Sequence, residues 1–189
     1  MQITSYFIGI VLENAPFVTL FVRLQQYIKK HKLEDAVLLQ NILSLHISLY
    51  YFDATLTEDQ KKAVKEDAEH LSLMHETLEV SPIKGSYFNK GTNNTLCYIT
   101  CSQTEVLEKL HSFFTKKYLS PNVPENQYAY IPHLSLFTIL DSDKYAQHKK
   151  AVDQIIIEEI ELLKKYSLVK DIQLFQVNSL FSPEIQIPV

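Results

Sequence analysis

Arginine is almost missing from this chain. Of 18 basic residues in 189, only Arg23 is an arginine, which nearly excludes rigid bidentate clamps on phosphate. The formal net charge is −4, so no global basic field exists to hold a long nucleic-acid duplex through its backbone. Cysteine occurs twice, at Cys97 and Cys101. The pair lies in an apolar, strand-like run with no second ligand cluster at finger spacing, so buried structural thiols are expected rather than a zinc site. The N-terminus lacks both a basic start and a small-residue cleavage pattern and is not read as a signal peptide. No run of about 18 apolar residues is present to cross a membrane. A reducing cytoplasm is the expected location, with no metal and no cofactor.

Glycine is also scarce, at 3, whereas Tyr and Phe number 11 and 10. Hydrophobic residues make up 46% and charged residues 21%, the balance of a soluble globular protein whose core includes β-structure. Strands are predicted over 2–12, 44–52, 78–88, 95–101, 128–140 and 171–180. Helices are predicted over 16–30, 57–78, 103–118 and 142–166. A polar loop is expected at 120–127 and a turn near Asn89-Lys90-Gly91. Strands and helices interleave, but some strands come in pairs, which favours α+β over a doubly wound parallel sheet. The strand and helix order runs similarly through the two halves, suggesting a duplicated architecture. Ile155, Ile156, Ile160 and Leu163 let the last helix pack on the sheet without a partner, and a monomer is expected.

Seven histidines and 25 serines and threonines predict about one His-x-[Ser/Thr] string by chance. The chain has four: His46-Ile47-Ser48, His70-Leu71-Ser72, His75-Glu76-Thr77 and His133-Leu134-Ser135. Secondary structure separates them. On a strand, residues i and i+2 share a face; on an α-helix they lie about 200° apart. His70 and His75 fall in a predicted helix, with their Ser and Thr partners facing away, and are read as ordinary helix residues. His46 and His133 fall on predicted strands, and their flanks match: each reads His-aliphatic-Ser-Leu-aromatic. A histidine pair can work as base and acid near neutral pH. The serine hydroxyls can donate to non-bridging phosphoryl oxygens. His46, Ser48, His133 and Ser135 are therefore the candidate catalytic residues.

These paired motifs resemble the 2H phosphoesterase superfamily, which includes 2′-5′ RNA ligase-like proteins and cyclic nucleotide phosphodiesterases. The spacing of 87 between His46 and His133 is similar to that group, as are the hairpin 78–88 with 96–101, Ile131-Pro-His-Leu-Ser-Leu136, and the tail 172–179. The resemblance implies a single bilobal α+β domain over 1–189. It would comprise two mostly antiparallel sheets in a pseudo-two-fold arrangement, flanked by helices, with a central cleft. It also implies that His133 is the base and His46 the acid, roles that can exchange with substrate orientation. One departure is Phe137-Thr138, where the bacterial ligase-like branch often has Gly-Arg.

The expected activity is metal-independent hydrolysis of 2′,3′-cyclic phosphates or 2′-5′ linked nucleotides. The alternatives are the reverse, RNA ligase-like chemistry and a nucleotide-binding module without turnover. The expected partner is a nucleotide or short RNA, with no long duplex and no membrane. Tyr130, Tyr6 and Phe88 are candidates to stack on a base.

Overall fold

The computed structural model describes residues 5–52, 56–75, 78–118, 130–163, 169–177 and 187–188. In chain order its elements are β1 (Ser5–Leu12), α1 (Val18–Lys30), β2 (Val37–Leu39), β3 (His46–Phe52), α2 (Glu58–Met74), β4 (Pro82–Phe88), β5 (Thr95–Cys101), α3 (Thr104–Tyr118), β6 (His133–Ile139), α4 (Ser142–Ala146), α5 (Lys149–Leu163), β7 (Val169–Val177) and β8 (Ile187–Pro188). The fold is α+β, with antiparallel strands flanked by helices.

Local signals account for the helices. α1 places Leu20, Phe21, Leu24 and Ile28 on one buried face at helical spacing. α2 opens with a capping box, in which the Thr57 hydroxyl accepts from the Gln60 amide and the Gln60 side chain accepts from the Thr57 amide. The helix predicted over 142–166 is two helices, α4 and α5, broken at Gln147 and His148. α2 stops at Met74 and β4 starts only at Pro82, both shorter than predicted. The two short strands β2 and β8 were not expected. The loop 120–127, Tyr128, the helix end 164–166 and the strand end 178–180 lie outside the described residues.

The two expected sheets run together as one. Its order is β4-β5-β6-β3-β1-β7-β8, with β2 pairing beside β6. Two triplets, β4-β5-β6 and β7-β1-β3, are related as an approximate two-fold would relate them. α2 packs on the outer strand β7 of one triplet, and α5 on the outer strand β4 of the other. Gly85 allows the second contact, because a Cβ there would stand 3.0 Å from Ile156 Cγ2. The triplets meet at β3 and β6 through a single pair, Ile47 with Leu134.

One face of this sheet is the hydrophobic core. Tyr6, Ile8, Ile10 and Leu12 of β1, Ile47, Leu49, Tyr50 and Phe52 of β3, and Leu134, Leu136, Phe137 and Ile139 of β6 pack there against the helices. Cys97 and Cys101 are buried and unpaired, and burial pushes the Cys101 thiol up to about 12. The buried rings of Phe7, Tyr98 and Phe175 stand apart from that core, on the opposite face by strand alternation. The sole arginine joins helices: Arg23 reaches from α1 to Glu158 and Glu159 of α5, 2.6 Å to each.

Candidate active site

Both strand histidines sit at the first residue of a central strand, His46 on β3 and His133 on β6. The antiparallel pair Ile47–Leu134 fixes how the motifs meet. Its neighbours project to the other face, which sets His46 across from Ser135 and Ser48 across from His133. The two histidines are then diagonal neighbours, positions that in a regular antiparallel pair lie about 7–8 Å apart.

The imidazoles are held alike. His46 Nδ1 lies 2.7 Å from the Ser44 carbonyl, and His133 Nδ1 lies 2.8 Å from the Ile131 carbonyl, each two residues upstream. A carbonyl only accepts, so each Nδ1 carries a proton and donates. Each Nε2 is thereby the free ring nitrogen. It is a lone pair when the ring is neutral and a donor when the ring is charged.

Each ring also rests on two aromatics. His46 lies 4.6 Å from Phe7 and 5.4 Å from Phe175, centroid to centroid, while Phe7 and Phe175 stack on each other at 4.7 Å. His133 lies 5.0 Å from Phe88 and 5.1 Å from Tyr98, which stack at 4.1 Å. Gly9 makes the first arrangement possible. A Cβ on it would stand 3.2 Å from Phe7 Cε2 and 3.3 Å from Phe175 Cε2.

Burial sets the proton affinities. His46 is 7% exposed. Desolvation holds its pKa down to about 4, against the raising effect of the Ser44 carbonyl and with a smaller lowering from a charge on His133. His133 is half-buried, and desolvation lowers its pKa against the raising effect of the Ile131 carbonyl. Both rings are therefore mainly neutral at pH 7.

The leucine that follows each serine is a β-bulge. Gly9 pairs with Ser48 and Ile8 with Tyr50, leaving Leu49 as the extra residue; Tyr98 pairs with Ser135 and Cys97 with Phe137, leaving Leu136. The Ser48 and Leu49 carbonyls at the first bulge are taken by side chains. The Tyr130 hydroxyl donates to Ser48 O at 2.8 Å, and His111 Nδ1 donates to Leu49 O at 2.5 Å. The two rings stack at 4.2 Å.

The candidate aromatics thus divide. Phe88 stands beside His133. Tyr130 touches the first motif through its hydroxyl, with one ring face covered by His111. Tyr6 is 3% exposed and packed in the helix-side core, so it is corrected from a base-stacking candidate to a core residue. His70 is exposed on α2 while Ser72 turns away to donate to Asp171 at 2.7 Å, as helical spacing predicts. His75 caps the end of α2, and Glu76 and Thr77 lie outside the described residues. Tyr51, which the sequence reading missed, is 57% exposed and bonds Ser48 Oγ at 2.8 Å. Strict alternation sends Tyr51 to the core face; the bulge returns it to the histidine face.

Among the described residues no group of three or more His, Cys, Asp or Glu side chains could hold a metal ion, and no helix is long and apolar enough to cross a membrane. A cavity of about 300 Å³ lined by Met74, His75, Leu78, Glu79, Gln103 and Val106 lies between the end of α2 and the start of α3, away from the histidine pair.

No family model and no curated protein matches the sequence. Among solved structures, two of Usb1 from Kluyveromyces marxianus are similar, one of them with uridine monophosphate. Each is 12% identical, with 98% of both chains covered and TM-scores of 0.48 and 0.49.

Proposed function

We propose that this protein is a phosphodiesterase that opens 2′,3′-cyclic phosphates or cleaves 2′-linked nucleotides with its two histidines. The observation that carries the reading is the matched tethering of the rings. Each Nδ1 is committed to a carbonyl of its own chain, so the two Nε2 atoms are the groups left to handle protons. A serine hydroxyl lies across the strand pair from each.

The reaction balances with these groups alone. One neutral Nε2 takes a proton from water as its oxygen bonds to phosphorus. The other imidazole, protonated, gives its proton to the sugar oxygen as the P–O bond breaks, leaving a phosphomonoester and a free hydroxyl. Ser48 and Ser135 donate to the non-bridging oxygens as their charge grows. The bound phosphate's negative charge favours the one protonated histidine that the chemistry needs. Burial supports His46 as the base, since desolvation lowers its pKa to about 4 and keeps it mainly neutral near pH 7, and the less buried His133 as the acid. That is the reverse of the assignment implied by resemblance. Phe88, at the edge of the His133 ring, is the aromatic we assign to meet a nucleobase.

His46→Ala and His133→Ala, assayed on uridine 2′,3′-cyclic phosphate, should each lower kcat by about 10²–10⁴-fold with an unchanged urea midpoint after allowance for the lost ring. Wild-type activity in either variant would sink the proposal. A p-nitrophenyl phosphodiester, whose leaving group needs no acid, should rescue His133→Ala but not His46→Ala; the opposite pattern exchanges the two roles.

A further inference from the structure

We infer that Tyr51 is a positioning residue that aims the Ser48 proton at the substrate and so makes the two serines unequal donors. The inference rests on the phosphodiesterase reading above and concerns how that site treats the two non-bridging oxygens.

The geometry leaves Ser48 two choices. Its hydroxyl has one proton and two lone pairs. Tyr51 OH lies 2.8 Å from Ser48 Oγ. If Ser48 donated to Tyr51, no proton would be left for a phosphoryl oxygen. A phenol, with a reference pKa of about 10, is a much stronger donor than an aliphatic hydroxyl. Tyr51 therefore donates to Ser48 Oγ, and the Ser48 proton is free for the ligand. Such a chain of hydroxyls also strengthens the terminal donor by polarisation. Two features hold the phenol in place. Its ring lies 5.2 Å from Phe7, the ring that also supports His46. The bulge at Leu49 puts it on the same face as Ser48.

The other half of the site lacks this device. Counting from the motif serine, Tyr51 corresponds to Thr138. Among the described residues neither Thr138 nor any other side chain bonds the Ser135 hydroxyl. The approximate two-fold of the sheet is thus broken at the donors. Ser48 offers a fixed proton, and Ser135 offers one that rotates. A phosphodiester bound between them presents one non-bridging oxygen to each.

Chiral sulfur reads this difference, because sulfur accepts hydrogen bonds poorly compared with oxygen. The probe is the separated pair of diastereomers of uridine 2′,3′-cyclic phosphorothioate. The wild-type protein should open one diastereomer more slowly, the one that sets sulfur at Ser48. Tyr51→Phe keeps the ring and removes only the hydroxyl. It should slow the unmodified cyclic phosphate about 5–20-fold through kcat and shift the diastereomer ratio severalfold toward one. Ser48→Ala should shift the ratio the same way, and adding Tyr51→Phe to it should change nothing further. An unchanged ratio in Tyr51→Phe overturns the inference. So does a Tyr51→Phe loss of equal size with and without Ser48, which would mark a merely structural role. These results leave the phosphodiesterase reading standing when the wild type is active and the histidine variants are not. An inactive wild-type protein on the unmodified substrate removes both.

Discussion

Burying His46 makes the fold sensitive to mild acid, and the size of the effect can be worked out. In the unfolded chain an imidazole takes its proton near pH 6.5. In the folded protein, desolvation holds the His46 pKa down to about 4. Between these values the unfolded state binds more protons, so stability rises with pH across the window and is lost as pH falls through it. A separation of about 2.5 units corresponds to about 3 kcal/mol once pH is below both values, and about 2 kcal/mol is already lost at pH 5. His46→Asn tests the assignment. The asparagine amide can replace Nδ1 as donor to the Ser44 carbonyl but does not titrate. Urea unfolding of both proteins at pH 7, 6 and 5 gives the comparison, since all other titrating groups are common to both. The wild type should lose about 2 kcal/mol more than His46→Asn between pH 7 and pH 5. Parallel pH dependence in the two proteins would refute the buried, neutral state of His46.

Other outcomes follow from the same structure. The pH profile of kcat/KM should be a bell on the acid side of neutrality, rising as His46 loses its proton near pH 4 and falling as His133 loses its own below the usual histidine value. An optimum above pH 8 would contradict the acid–base pair. Tyr130→Phe removes the donor to Ser48 O and should cost about 1 kcal/mol in urea unfolding, with a matching fall in kcat. Gly9→Ala forces the Phe7 and Phe175 rings to yield a few tenths of an ångström. It should destabilise by about 1–3 kcal/mol, with activity falling because the same rings support His46. Arg23→Met leaves Glu159, which is 4% exposed, without its partly exposed cation, and should cost about 1–3 kcal/mol in denaturant unfolding.

The site was legible in the sequence to the extent that strand periodicity controls it. Period-two alternation put His46 with Ser48 and His133 with Ser135, and helical periodicity removed His70. What stayed hidden comes from departures from regular period. The bulges at Leu49 and Leu136 add a residue to one strand only, so they leave no trace in that strand's own pattern; Tyr51 was lost for this reason. Tyr6 was misassigned because alternation along β1 can be set in two phases, and only pairing with Phe52 and Gln176 fixes which face is the core. The short strands β2 and β8 are made by partners, not by propensity. The repeated element order points to a duplicated architecture, and the structure has two strand triplets. Their fusion into one sheet depends on a single pair, Ile47 with Leu134, which no local signal announces.

That pair has a mechanical consequence. The β3–β6 seam carries the single ladder pair Ile47–Leu134, and side chains lace it further: Tyr130 donates to Ser48 O and His111 to Leu49 O across it. The two imidazoles lie on opposite banks of this seam. Contacts across it, far from any proton being moved, therefore hold the two rings at their distance.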